Sequence, residues 1–193
     1  DTLTARTQYT FRVRTYCSGD TLGWRSVIFS TTYPTYTAPY VCGFEDLTQN
    51  SGWHLYNDAI NPLEFGTDQS AVRTGSRSVY VNGDGQSYSY VPGFSQSYAE
   101  LLLSLGAGHY LVEYDWKNEG DSLHSYGRLF LMPSVPDIRM VNFLNLGGNL
   151  PAGSVSVDGN AHLSGSSAWS HHSEIIEIST PQVFKLIAAF ISN

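Results

Sequence analysis

The sequence predicts an all-β protein, built as a jelly-roll β-sandwich and preceded by a short β-hairpin. Three observations predict it. Apolar side chains recur every second residue in short runs, the mark of strands with one buried face. Eighteen glycines and eight prolines punctuate those runs, while no useful window carries the i, i+3, i+4, i+7 spacing of a helix. Charged residues make only 14% of the 193 residues and aromatics 13%, a mixture suited to pleated, half-buried surfaces.

The elements follow in chain order. Residues 7–16 alternate cleanly, with Tyr9, Phe11 and Val13 on one side and Thr10, Arg12 and Arg14 on the other. Ser18-Gly19-Asp20 turns the chain, and residues 24–31 supply the second strand of a hairpin. Tyr33-Pro34-Thr35-Tyr36-Thr37-Ala38-Pro39-Tyr40 reads as an extended linker, because proline and β-branched residues favour open backbone. Strands are then expected at 78–81 and 88–91, joined as a hairpin through Asn82-Gly83-Asp84-Gly85. Further strands follow at 99–105, 109–116, 128–132, 155–157, 174–178 and 183–191. The domain division is therefore 1–33, a linker at 34–40, and a large domain over 41–193.

Two resemblances sharpen this outline. Leu3 six residues before Tyr9, Arg12-Val13-Arg14, Trp24 and Ser26 resemble the closing strands of a fibronectin type III domain. On that resemblance the five preceding strands lie outside this sequence. Downstream, Pro39-Tyr40, Gly43-Phe44-Glu45-Asp46, Gly52-Trp53, Phe65-Gly66-Thr67 and Gly75-Ser76-Arg77-Ser78-Val79-Tyr80-Val81 stand in order. Ala107-Gly108-His109-Tyr110, Tyr114-Asp115-Trp116-Lys117, Arg128-Leu129-Phe130-Leu131-Met132-Pro133 and Ser167-Ala168-Trp169 continue it. This series resembles the cleaved-adhesin or choice-of-anchor J domains, jelly rolls related to MAM domains. Such domains usually add a closing strand after the one matched by residues 183–193, so the resemblance implies a truncated C-terminus and an unpaired sheet edge.

The resemblance implies a secreted or cell-surface, non-catalytic module of a bacterial surface protein that serves adhesion or binds carbohydrate or protein. The alternative is an accessory domain of a larger secreted protease or glycoside hydrolase. A glycan or a host or extracellular protein is the expected partner, alongside other domains of the same parent chain. A net charge of −7 with scattered Lys and Arg argues against nucleic acid. No apolar run approaches the length that spans a bilayer, which argues against membrane insertion.

Candidate chemistry is sparse. The resemblance implies a structural calcium ion near Glu45 and Asp46, with Asp84 and Asp115 as further acidic ligands among the turn acids, which include Asp58 and Asp68. Calcium takes six to eight oxygens, so two acids cannot suffice. The bland alternative is an acidic turn or a hydrogen-bonded strand end. Cys17 and Cys42, the only cysteines, would close a loop of about 25 residues if bridged, contributing roughly 3–4 kcal/mol; two separate buried thiols are the alternative. His171 and His172 adjoin Trp169 and Glu174, but neighbours in a strand point to opposite faces, and the resemblance puts them in a loop. Glu100, Glu113, Asp115 and Glu119 raise a paired-carboxylate glycosidase, and Glu113 and Asp115 share a strand face. A structural role is the simpler reading, and no nucleophile elbow is present. Tyr56, Tyr88, Tyr90, Tyr98 and Tyr126 are candidates for a sugar-stacking platform, against ordinary core or surface packing.

Overall fold

A computed structural model describes residue 3 and residues 7–17, 20–21, 23–134 and 149–193. The chain is all-β and divides into two compact units, Asp1–Pro34 and Thr35–Asn193.

In the first unit, β1 (Gln8–Val13) pairs antiparallel with β4 (Arg25–Ser30), from Gln8 opposite Ser30 to Val13 opposite Arg25. Between them, β2 (Tyr16–Cys17) and β3 (Asp20–Thr21) form a small ladder. Tyr9 and Phe29 stack across the hairpin at 5.9 Å. The Arg14 guanidinium lies 4.7 Å from the Trp24 ring centroid and 5.2 Å from that of Tyr16, a cation–π contact with each. The alternation predicts one buried face, yet Phe11, Val13, Val27 and Ile28 are all exposed. A two-stranded ribbon has no second layer of its own to cover them.

The second unit opens earlier than the linker reading allows. Thr35–Thr37 is β5, paired in parallel with residues 102–104. Tyr36 packs against the core and lies 5.1 Å from Tyr40. The β-branched threonines and tyrosine that suggested an open linker are equally suited to a strand, and a neighbouring strand decides between the two. A four-residue helix α1 (Leu47–Asn50) follows, capped by Asp46, whose carboxylate accepts from the Thr48 and Gln49 amides. Next come β6 (His54–Tyr56), β7 (Leu63–Gly66), β8 (Ser78–Val81) and β9 (Ser95–Leu105). The remaining strands are β10 (Gly108–Asn118), β11 (Ser125–Pro133), β12 (Val155–Ser156), β13 (Ser166–Ile178) and β14 (Gln182–Ser192).

One sheet has the order β12-β11-β14-β9-β5, with β6 also pairing on β9. Facing it are two antiparallel pairs, β7–β8 and β10–β13. The core between the layers takes Ala99, Leu101, Leu103 and Leu105 from β9 and Phe184 and Phe190 from β14. Opposing them are Leu63, Val81, Ile176 and Ile178, with Tyr110 and Val112 packed alongside. The larger sheet is buried on its other face too, by Tyr98, Phe130, Met132, Ile187 and Ile191. Burial on both faces explains why 99–105 and 183–191 read as near-continuous apolar runs rather than alternations.

Two expectations change here. The strand expected to border an unpaired edge, β14, is central, flanked by β11 and β9. The hairpin expected between 78–81 and 88–91 is absent: β8 pairs instead with β7, Leu63 opposite Val81. Residues 82–91 form a loop, with Gly83 donating to the Ser89 carbonyl and the Asp84 carboxylate accepting from the Gln86 and Ser87 amides.

Candidate functional site

The four carboxylates expected around calcium do not gather. Glu45 Oε1 accepts from the Ser76 amide (2.8 Å) and the Arg77 amide (2.8 Å), and Oε2 accepts from the Ser76 hydroxyl (2.6 Å). These bonds, the Ser76 hydroxyl first, hold its carboxyl below the usual carboxylate range. They also account for the ordered motifs: Gly43-Phe44-Glu45-Asp46 is tied to Gly75-Ser76-Arg77, and Gly75, at φ +75°, sits where a Cβ would strike the Glu45 carboxylate. Asp46 caps α1, while Asp84, held down to about 2 by the Gln86 and Ser87 amides, closes its own turn. The Asp58 and Asp68 carboxylates accept from the Ile60 and Ser70 amides in their own turns. Asp115 pairs with Arg73 and His171. Among the described residues no three His, Cys, Asp or Glu side chains gather as metal ligands. Cys42 carries a free thiol beside the Tyr40 hydroxyl, and the side chain of Cys17 lies outside the described residues.

Glu113 and Asp115 do share a face, the outer one of the β10–β13 ribbon. The outward cross-strand pairs are His109 with Glu177, Leu111 with Ile175, Glu113 with Ser173, and Asp115 with His171. His171 presents Nδ1 to Asp115 Oδ1 at 2.9 Å and Nε2 to Glu113 Oε1 at 3.7 Å. The two histidines stand on β13 rather than in a loop, because the strand begins eight residues before 174–178. They point oppositely, as strand geometry requires: the ring of His172 turns inward, 5.0 Å from that of Tyr114. Glu100 is buried in the other sheet, 3.4 Å from Lys185, and Glu119 pairs with Lys117 at 3.5 Å. Glu113, Asp115 and His171 are all exposed to water.

The tyrosines separate by environment. Tyr98 and Tyr126 belong to the core, and Tyr126 is stacked on His162 at 3.7 Å. Tyr56 packs edge-on against His54 at 4.0 Å. Tyr88 lies under the Lys117 ammonium at 5.0 Å, and burial pushes its phenol up. Tyr90 alone of the five is exposed, at 39%, with its ring 5.8 Å from that of Phe190.

The backbone next to Tyr90 is held by a residue the sequence does not single out. Asn61 is wholly buried, and its side-chain amide makes three hydrogen bonds. Oδ1 accepts from the Val91 amide (2.7 Å); Nδ2 donates to the Val91 carbonyl (2.9 Å) and to the Ser95 hydroxyl (2.7 Å). The clamp fastens both ends of the 91–95 segment to one point. Tyr90 immediately precedes this segment and Phe94, 56% exposed, lies within it; Ile60, next to Asn61 in sequence, and Val91 are exposed as well. The buried amide thus fixes the backbone that carries these two exposed rings. A buried Asn recruited by partners 30 and 34 residues away leaves no local trace in the sequence.

Neither a protein-family model nor a curated protein sequence matches the chain. Among solved structures it is similar to TmCBM61, a carbohydrate-binding module determined in complex with β-1,4-galactotriose. The match has 15% identity and a TM-score of 0.40, covering 73% of this chain and 78% of that one. A likeness this distant does not bear on which residues of this chain bind.

Proposed function

We propose that the second unit is a non-catalytic glycan-binding module of an extracellular bacterial surface protein, and that it engages sugar at the Tyr90–Phe94 platform. The observation that carries this reading is the Asn61 clamp, which fixes the backbone carrying two exposed aromatic side chains and so lowers the ordering cost of binding. The C–H faces of a pyranose pack on such rings, while hydroxyls bond to polar groups at their rim. Asp58 and Asp84 lie in the same pair of loops, so neutral sugars suit the site better than uronic or sialic acids. The open placement of Glu113 and Asp115 supports a role without turnover. An adhesin-like setting, as the motif resemblance implies, belongs to this same proposal.

The test is a glycan array followed by titration calorimetry on the strongest neutral oligosaccharide. Tyr90→Ala and Phe94→Ala should each weaken binding about tenfold, with melting temperature unchanged for Phe94→Ala and lowered for Tyr90→Ala, whose ring also packs on Phe190. Binding that survives both substitutions, or an array without signal, would refute the assignment.

A further inference from the structure

The outer face of the β10–β13 ribbon carries a feature that neither the fold nor sugar binding requires. Solvent-facing strand positions are ordinarily polar, yet Leu111 and Ile175 stand directly opposite each other there, 61% and 70% exposed. Their row is bracketed by carboxylates. Glu113 lies two residues beyond Leu111 on one strand, and Glu177 two residues beyond Ile175 on the other, which places it in the row of His109. The rows of Glu113 and Glu177 are four residues apart, about 13 Å along the ribbon. Arg73, the guanidinium at this face, is already engaged by Asp115.

We propose that this face docks a protein segment in extended conformation that presents one apolar side chain with Lys or Arg two residues before and two residues after it. In an extended chain, side chains at positions −2, 0 and +2 share a face, and the outer two are about 13 Å apart. That period matches the carboxylate–apolar–carboxylate spacing. The central side chain packs on Leu111 and Ile175, and the flanking cations meet Glu113 and Glu177. The exposed aliphatic pair supplies contact area, and the bracketing charges set register and exclude acidic partners.

The test uses the full chain, isotopically labelled, and the synthetic peptide Thr-Lys-Thr-Leu-Thr-Lys-Thr followed by amide chemical-shift mapping. Saturable shifts confined to residues 109–115 and 171–177 are expected, together with affinity that falls as salt is raised. A control peptide with Glu in place of both Lys should give none. Ile175→Thr, which keeps a strand-forming residue, should weaken the Lys peptide about tenfold, and Leu111→Thr serves as an independent second variant. Glu113→Gln combined with Glu177→Gln should abolish the salt dependence. No shifts on this face, equal binding of the Glu peptide, or insensitivity to the substitutions would overturn the proposal. So would sedimentation showing a dimer that Ile175→Thr dissolves, since the face would then be covered by a second copy.

Discussion

Arg128 stands in an otherwise apolar strand, and Asp158 makes that tolerable. The Arg128 Nε lies 2.6 Å from Asp158 Oδ2, which also accepts from the Leu129 amide at 3.0 Å. Oδ1 accepts from the Ser156 hydroxyl at 2.7 Å and the Asn160 amide at 3.1 Å. Both side chains are nearly fully buried, so the carboxylate is paired and saturated at once. Removing one partner strands the other: Asp158→Ala should cost about 3–5 kcal/mol in urea denaturation. The double variant Arg128→Met with Asp158→Ala should recover a measurable part of that loss. Asn61 is the polar counterpart. Asn61→Ala leaves the Val91 amide and carbonyl unpaired, and should cost about 3 kcal/mol while also weakening the sugar site through the loop.

At the scale of elements, hydrogen-bonded carboxylates do the fastening that longer strands do elsewhere. Asp84 closes the 82–89 loop, and Glu45 ties the chain before α1 to the segment entering β8. Both carboxyls are held below their ordinary range, Asp84 to about 2, first by its backbone amides. A carboxyl with a depressed folded value stabilises fully above its unfolded value of about 4, and loses that contribution as pH falls through the folded value. Unfolding midpoints should therefore drop between about pH 4 and 2, and Asp84→Asn should make that drop shallower. Gly75→Ala tests the Glu45 tie directly. With φ at +75° and the carboxylate in the way of a Cβ, it should cost about 1–2 kcal/mol, read by urea denaturation. The failed hairpin at 78–91 belongs to this scale as well. Asn82-Gly83-Asp84-Gly85 suits a tight turn chemically, but β8 finds its partner in β7, because Leu63 and Val81 both face the core.

For the whole molecule, each carboxylate expected to bind calcium already has donors within the chain. Melting in millimolar calcium and in chelator should therefore coincide, and a rise with calcium would show ligands supplied from elsewhere. The all-β class and the two-residue period of several strands were legible in the sequence, because side-chain alternation is local and repeats along the chain; β6 and β7 were not, and β13 begins eight residues before the run that marked it. The same period put Glu113 and Asp115 on one face, whereas the loop expected at His171 and His172 is strand, and there that period turns them to opposite faces. Long-range packing settled which strands are neighbours, that β14 is central, and that residues 35–37 are a strand. It alone recruited Asn61 and Asp158 as buried anchors and left Tyr90 exposed while burying Tyr98. The physical reason is range: pairing, burial and polar saturation depend on groups tens of residues away, and no local pattern records which of them will arrive.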